Sequence, residues 1–132
     1  MHYTPTPLDE IAARLAASPA FDWLPGMLAF FPEGYAVNGI APSPRRVEKG
    51  AIPPAGAIPD LRDGATRGAL LELVRAAFAD PTICPFRVTE TAWEVCAEES
   101  EEAGDAWPVT FDHPEEGGAL ALALLGSREP AP

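Results

Sequence analysis

The stretch DGATRGALLELVRAAFA at residues 63–79 is the clearest helix in the sequence, and the other elements are best placed relative to it. Asp63 is a residue type that caps helix starts, because its carboxylate accepts a free backbone N–H. Apolar residues then recur at helical spacing, which predicts a broad apolar face. That face comprises Ala69, Leu70, Leu73, Val74, Ala77 and Phe78. Asp80-Pro81 ends the pattern, since the residue before a proline is pushed out of helical geometry.

A second helix is predicted from about Pro7 to Ala17, with Thr6 as its N-cap and the proline at the first helical position. Its apolar side chains recur three or four residues apart, which places them along one stripe. The stripe comprises Leu8, Ile11, Ala12 and Leu15. A helix with this pattern packs one side against a core and leaves the other side in water.

The C-terminal part of the chain predicts a third helix, which runs through Leu125 and ends at Gly126. Asp112 and Glu115 have the spacing of a reciprocal capping pair, with a proline in the first turn. The side chains expected to face inward are Leu120, Ala123 and Leu124. The Gly117-Gly118 pair makes this helix start weak, since each glycine costs up to about 1 kcal/mol relative to alanine.

Between the helices, apolar and polar residues alternate with the period of two that is typical of strands. The clearest case is a hairpin over residues 86–97 with its turn at 89–91. Its residues expected to face the core are Phe86, Val88, Trp93, Val95 and Ala97. Residues 27–31 predict a short strand that returns over 35–40, and residues 107–111 predict another strand.

Together these elements predict an α+β fold in a single domain over residues 1–132. We expect a single layer of mostly antiparallel sheet, with about five short strands and about three helices packed on one face. Three segments lie outside this layer. They are a long Pro-rich loop at 41–59 with five prolines, an acidic loop at 98–105 and a loose tail at 127–132.

The composition excludes several classes of protein. The net charge of -11 argues against direct binding of nucleic acid, because phosphate contacts require clustered Lys and Arg. The most apolar run, at 119–125, is far too short to span a bilayer, so we expect no membrane partner. The N-terminus has no basic stretch followed by an apolar run, which favours a cytoplasmic location. Oligomeric state is left open by the sequence.

Catalytic chemistry has little support in the sequence. It contains no glycine-rich phosphate loop, no His-Glu-x-x-His metal motif and no Gly-x-Ser-x-Gly nucleophile motif. His113 is the one plausible catalytic imidazole, but its position at a helix start explains it without chemistry. Cys84 and Cys96 lack zinc or redox spacing and are expected to be free, buried thiols, although neighbouring strands would permit a disulfide. We expect a non-enzymatic protein with no cofactor and no metal.

Charge is distributed very unevenly along the chain. Residues 88–127 contain ten acidic residues and no Lys or Arg, whereas residues 1–87 contain nine acids and eight bases. A surface of one sign attracts a basic partner and raises the association rate. The alternative interpretation is that the acids only maintain solubility. The candidate partner-binding residues are Glu94, Glu98, Glu99, Glu101, Glu102 and Asp105.

The Pro-rich loop contains the one locally basic patch, formed by Arg45, Arg46 and Lys49. Long loops in small domains often carry function. This patch is therefore a secondary candidate contact, suited to an acidic partner. The alternative is an ordinary solvated loop.

Two stretches carry a resemblance, namely PDLRDGATRGALLELVR at 59–75 and LDEIAARL at 8–15. Together they are similar to small proteins encoded by phages and prophages of high-GC bacteria, whose functions are unassigned. The resemblance covers about half of the chain and rests on helix and cap patterns. It implies a small accessory gene product, for which binding and inhibiting host machinery is a common task.

The leading hypothesis is a phage or prophage accessory protein that binds and inhibits a host protein with a basic surface. A nucleic-acid-handling defence complex, as inhibited by anti-CRISPR proteins, is one such target, with the acidic surface taking the place of phosphates. One alternative is a small-molecule or nucleotide-binding protein with a pocket between the sheet and the Pro-rich loop. A second alternative is a structural component of the virion or an adaptor, which would form a defined oligomer.

Overall fold

The computed structural model describes residues 6–31, 43–54, 56–98 and 108–127. In these ranges the chain forms three helices and six strands. In chain order they are α1 (Leu8–Ala16), β1 (Leu28–Phe30), β2 (Arg45–Arg46), β3 (Ile58–Pro59), α2 (Gly64–Ala77), β4 (Phe86–Thr89), β5 (Ala92–Glu98), β6 (Pro108–His113) and α3 (Glu116–Gly126).

The α+β class is confirmed, but the single five-stranded layer is wrong. In the described part of the chain the strands form two separate antiparallel sheets of three strands, ordered β2-β1-β3 and β4-β5-β6. The first sheet is small because its strands have only two or three residues. Prolines limit strand length by removing backbone donors, and Pro59 occupies the last position of β3.

The segment at 41–59 is not irregular throughout, since it supplies two strands to the N-terminal sheet. Ala29 of β1 is paired on one side with Arg45 and on the other with Pro59. The Val47 N–H donates to the Met27 carbonyl at 2.8 Å and extends this pairing. Both edges of β1 are therefore occupied, and the predicted return strand at 35–40 lies outside the described residues.

Helix α1 packs the predicted stripe into the core, with Leu8, Ile11, Ala12 and Leu15 all buried. Its N-cap is Pro7 rather than Thr6, and no side chain caps it. The Thr6 backbone carbonyl instead accepts a hydrogen bond from Nε2 of His113 at 2.8 Å. This long-range contact holds the backbone at the entry to α1.

Helix α2 begins as predicted at Asp63, whose carboxylate accepts from the Thr66 N–H at 3.0 Å. The Thr66 side chain is fully buried and joins two elements. Its hydroxyl donates to Asp63 Oδ2 at 3.0 Å and accepts from the Leu28 N–H at 2.8 Å. The cap of α2 thereby also satisfies a backbone donor of β1.

Helix α3 is apolar on all sides and buries seven of its eleven residues. The glycine pair that weakens its propensity has a packing role. A Cβ on Gly117 would lie under 3.0 Å from the backbone carbonyl group of Leu61, and one on Gly118 would meet the His113 ring equally closely. Only glycine permits this approach, so tertiary packing outweighs the propensity cost.

The C-terminal sheet packs one face against α3. On this inner face Val95 is fully buried and pairs with Phe111, while Trp93 pairs with His113. Because side chains alternate along a strand, the residues between these point away from α3. The core of the protein thus fixes which side of the sheet is left for contact.

Candidate interaction surface

The outer face of the C-terminal sheet carries acidic and apolar side chains side by side. The registers place Phe86 of β4, Glu94 of β5 and Asp112 of β6 in one row, directly opposite one another. Asp112 and Phe86 are exposed, and Glu94 is half-buried. We call this row, together with Val88 of the same edge strand, the outer patch.

Glu94 and Asp112 form a like-charged pair across neighbouring strands. Like charges in directly opposite positions destabilise a sheet, whereas opposite charges stabilise it. Within the described ranges neither carboxylate has an ion-pair partner. The outer patch therefore holds two negative charges on neighbouring strands, and no described residue compensates them.

The other predicted acidic contacts fall in or beyond the end of β5. Glu98 is the last residue of β5. Four of the predicted residues lie outside the described residues, namely Glu99, Glu101, Glu102 and Asp105.

Two acids of the C-terminal region are neutralised by arginines from the N-terminal part. Arg67 Nη1 lies 3.1 Å from Glu116 Oε2, and Arg62 Nε lies 3.9 Å from Glu115 Oε1. Arg62 also contacts Asp9 at 3.6 Å. These ion pairs link the starts of α1, α2 and α3, so their carboxylates have a structural role.

The three residues of the predicted basic patch, Arg45, Arg46 and Lys49, differ in their contacts. Arg46 forms a bidentate ion pair with the Asp63 carboxylate through Nη1 and Nη2, and the distance from Nη2 to Oδ1 is 2.8 Å. Its Nη1 also donates a hydrogen bond to the Gly26 carbonyl at 3.1 Å. The hydrogen bond from Arg46, with further bonds from Thr66, lowers the pKa of Asp63 to about 2. Arg45 and Lys49 are exposed.

The exposure of the edge strand β4 is a feature that sequence reasoning missed. Phe86 and Val88 were expected to face the core, but each is 47% exposed, and all four residues of β4 are exposed. Phe86 pairs with Glu94 and not with an inner-face residue, so it lies on the outer face. Alternation indicates two faces but not which one is buried, and the register irregularity between Arg87 and Thr89 gives no sequence signal.

A cleft of about 290 Å³ opens between the starts of α2 and α3. Its walls include Trp93, Pro114 and the Arg62, Arg67, Glu115 and Glu116 side chains. Its location differs from that of the pocket expected beside the Pro-rich loop. Since its arginines and glutamates are paired with each other, the cleft offers a ligand little uncompensated charge.

His113 is a structural residue by its contacts. Its ring is 7% exposed, and its Nδ1 accepts from the Glu115 N–H at 3.0 Å while Nε2 faces the Thr6 carbonyl. These partners require the neutral ring with its proton on Nε2. His113 thus satisfies a backbone donor at the start of α3, where Asp112 had been expected to act as the cap. Asp112 lies in β6 instead.

The remaining chemistry-bearing groups do not converge. Cys84 and Cys96 are free, and the expectation that both are buried is wrong, since Cys84 is exposed and Cys96 half-buried. Cys96 Sγ lies 3.6 Å from Thr110 Oγ1 on the outer face. In the part of the chain that the structure describes, no three His, Cys, Asp or Glu side chains are placed to hold a metal ion.

None of the helices in the described ranges has the length and apolar character needed to cross a membrane. No protein-family model matches the chain, and neither a curated protein nor a solved structure matches it.

Proposed function

We propose that this protein is a non-enzymatic inhibitor that binds a host protein through the outer face of its C-terminal sheet. The observation that carries the proposal is the pair of half-buried Glu94 and exposed Asp112, which lies on the outer face without a basic partner among the described residues. Of the ten acids over residues 88–127, two form this pair, two are paired with Arg62 and Arg67, and the other six add to the negative charge of a segment that contains no Lys or Arg. The partner is a protein with a basic surface.

A basic partner is favoured on electrostatic grounds. Repulsion between Glu94 and Asp112 is relieved when a Lys or Arg is placed between or beside them. A surface of one sign also steers a basic partner during diffusion, with a rate gain that salt reduces. Phe86 adds apolar area next to the charges, and an aromatic residue beside polar groups is a common composition for a contact surface.

The class of target follows from the chemistry of a basic protein surface. Proteins that handle nucleic acids present clustered Lys and Arg to phosphates. A row of carboxylates can occupy such a cluster and exclude the nucleic acid. This mode of inhibition agrees with the phage or prophage context that the resemblance of residues 8–15 and 59–75 implies, and it requires no catalytic residue.

The proposal is tested by affinity capture from host lysate with a charge-matched pair of variants. Glu94→Gln with Asp112→Asn removes the pair on the outer face. The control, Glu48→Gln with Asp22→Asn, removes the same charge from exposed positions outside the C-terminal sheet. A third variant changes Glu98, Glu99, Glu101 and Glu102 to Gln and tests the acidic loop.

We expect the outer-face variant to retain about tenfold less of a basic, nucleic-acid-binding protein, and the control to behave as wild type. Retention should also fall between about 50 and about 500 mM salt. Added nucleic acid should displace the protein from the captured partner. Equal retention by the outer-face variant and its control, or capture that does not depend on salt, would overturn the proposal.

A further inference from the structure

Strand β4 lies at the edge of the C-terminal sheet in the described part of the chain. This strand pairs with β5 on one side, and no described residue pairs with its other side. Its backbone donors and acceptors on that side are a template for another strand. Phe86 and Val88, two of the most exposed large apolar residues in the described ranges, lie on this same strand.

The form of β4 limits any added strand to a short one. It has four residues, and its register shifts between Arg87 and Thr89. Short length and a bulge are features that limit open-ended association at a sheet edge. The Arg87 side chain bonds to its own hairpin, at the carbonyls of Thr89 and Glu90, and leaves the apolar side chains uncovered.

Charge decides between a second copy of the chain and a different partner. Each copy carries a net charge of -11, and pairing β4 with its own copy would place two outer patches in one continuous sheet face. Like-charge repulsion disfavours that arrangement. A basic segment is attracted electrostatically where a second copy is repelled, because its Lys or Arg side chains can extend toward the Glu94 carboxylate.

We propose that β4 accepts an extended segment of the basic partner, in which apolar side chains alternate with Lys or Arg. This inference rests on the proposed function and specifies how the partner binds. An added strand would lie about 10 Å from β5, a distance that the side chains of a lysine and Glu94 span together. The methylene groups of that lysine would cover Phe86 on the way, as long cationic side chains do on apolar surface.

The probe is a capped six-residue peptide of alternating lysine and valine, compared with a peptide of the same composition in which three lysines precede three valines. Binding to the full-length protein is measured by two-dimensional NMR, together with amide hydrogen exchange at residues 86–89. Val88→Lys and Phe86→Lys remove apolar cover at the edge. Ile52→Lys is the matched control, because Ile52 is 84% exposed and lies outside the C-terminal sheet.

We expect the alternating peptide to bind about tenfold more tightly than the block peptide and to slow exchange at residues 86–89. Val88→Lys and Phe86→Lys should each remove that preference, and Ile52→Lys should leave it intact.

Equal binding of both peptides without slowed exchange at β4 would overturn the edge inference. If that binding still depended on Glu94 and Asp112, the proposed function would stand. Slowed exchange that needs no peptide and grows with protein concentration would also overturn the inference, in favour of a second copy. Failure of the proposed function is read separately, from the capture experiment.

Discussion

Asp63 allows a quantitative test of the contacts that hold the first half of the fold together. Its carboxylate caps α2 through Thr66 and is bound by both arms of Arg46 from β2. Substitution by Asn keeps a side-chain oxygen that can cap the helix and removes the charge. The variant therefore isolates the contribution of the ion pair from that of the cap.

The size of the effect follows from the pKa. Arg46, followed by Thr66, lowers the pKa of Asp63 from 3.8 to about 2, which corresponds to about 2 kcal/mol of preference for the charged form in the folded state. The Arg46 side chain is 52% exposed, so solvent screens the pair. We expect Asp63→Asn to lower the free energy of unfolding by about 1–2 kcal/mol at neutral pH.

The sign of the pH dependence is fixed by the direction of the shift. Because the folded-state pKa is lowered, the stabilisation is fully present above the unfolded value near 3.8 and is lost as pH falls toward about 2. Urea denaturation of wild type and Asp63→Asn at a series of pH values measures the difference directly. It should be largest near neutral pH and shrink between pH 4 and pH 2. A difference that stays constant over this range, or that is missing at neutral pH, would refute the reasoning.

Four further substitutions test packing, backbone strain and the outer patch, each by the free energy of unfolding in urea. Gly117→Ala should lower the free energy of unfolding by about 1–3 kcal/mol, because its Cβ would overlap the Leu61 backbone. Gly68→Ala should raise it by up to about 1 kcal/mol, because a Cβ there has no atom within 4 Å. Similar effects at both sites would contradict the packing argument. Ala79→Gly should be stabilising by about 1 kcal/mol, because Ala79 follows α2 with φ of 53°, and a loss of stability would show that this strain is not significant. Asp112→Asn should be stabilising by about 0.2–1 kcal/mol through relief of repulsion with Glu94, and no gain would mean that the two charges do not interact.

The sequence was most informative where one signal decided the structure. Asp63 as the cap of α2 and the apolar stripe of α1 could be predicted because capping chemistry and helical spacing act locally. The hairpin of β4 and β5 was also found from its alternation. The division into two sheets could not be predicted, since β2 and β3 have only two residues each and carry no periodic pattern.

The candidate site was only partly accessible from the sequence. Charge counting found the acidic region, but it could not separate Glu115 and Glu116 from Glu94 and Asp112. Glu115 and Glu116 are paired with Arg62 and Arg67, which lie far away in the sequence. Arg67, for example, precedes Glu116 by 49 residues. The pairing of Glu94 with Asp112 depends on strand register, and the exposure of Phe86 depends on which face α3 covers. These are long-range properties, which a local pattern does not contain.

The acids near helix starts and the acids of the outer patch differ in whether the chain supplies a basic partner for them. Where acids lie near helix starts, the chain supplies Arg62 and Arg67 to neutralise them. On the outer face it places Glu94 opposite Asp112 and supplies no arginine among the described residues, although an opposite charge at either position would stabilise the sheet. A change that relieves this repulsion should therefore raise the stability of the protein alone and weaken its complex with a basic partner. Opposite signs for these two effects in Asp112→Asn would separate a binding role for the patch from a role in solubility, since a solubilising charge has no partner to lose.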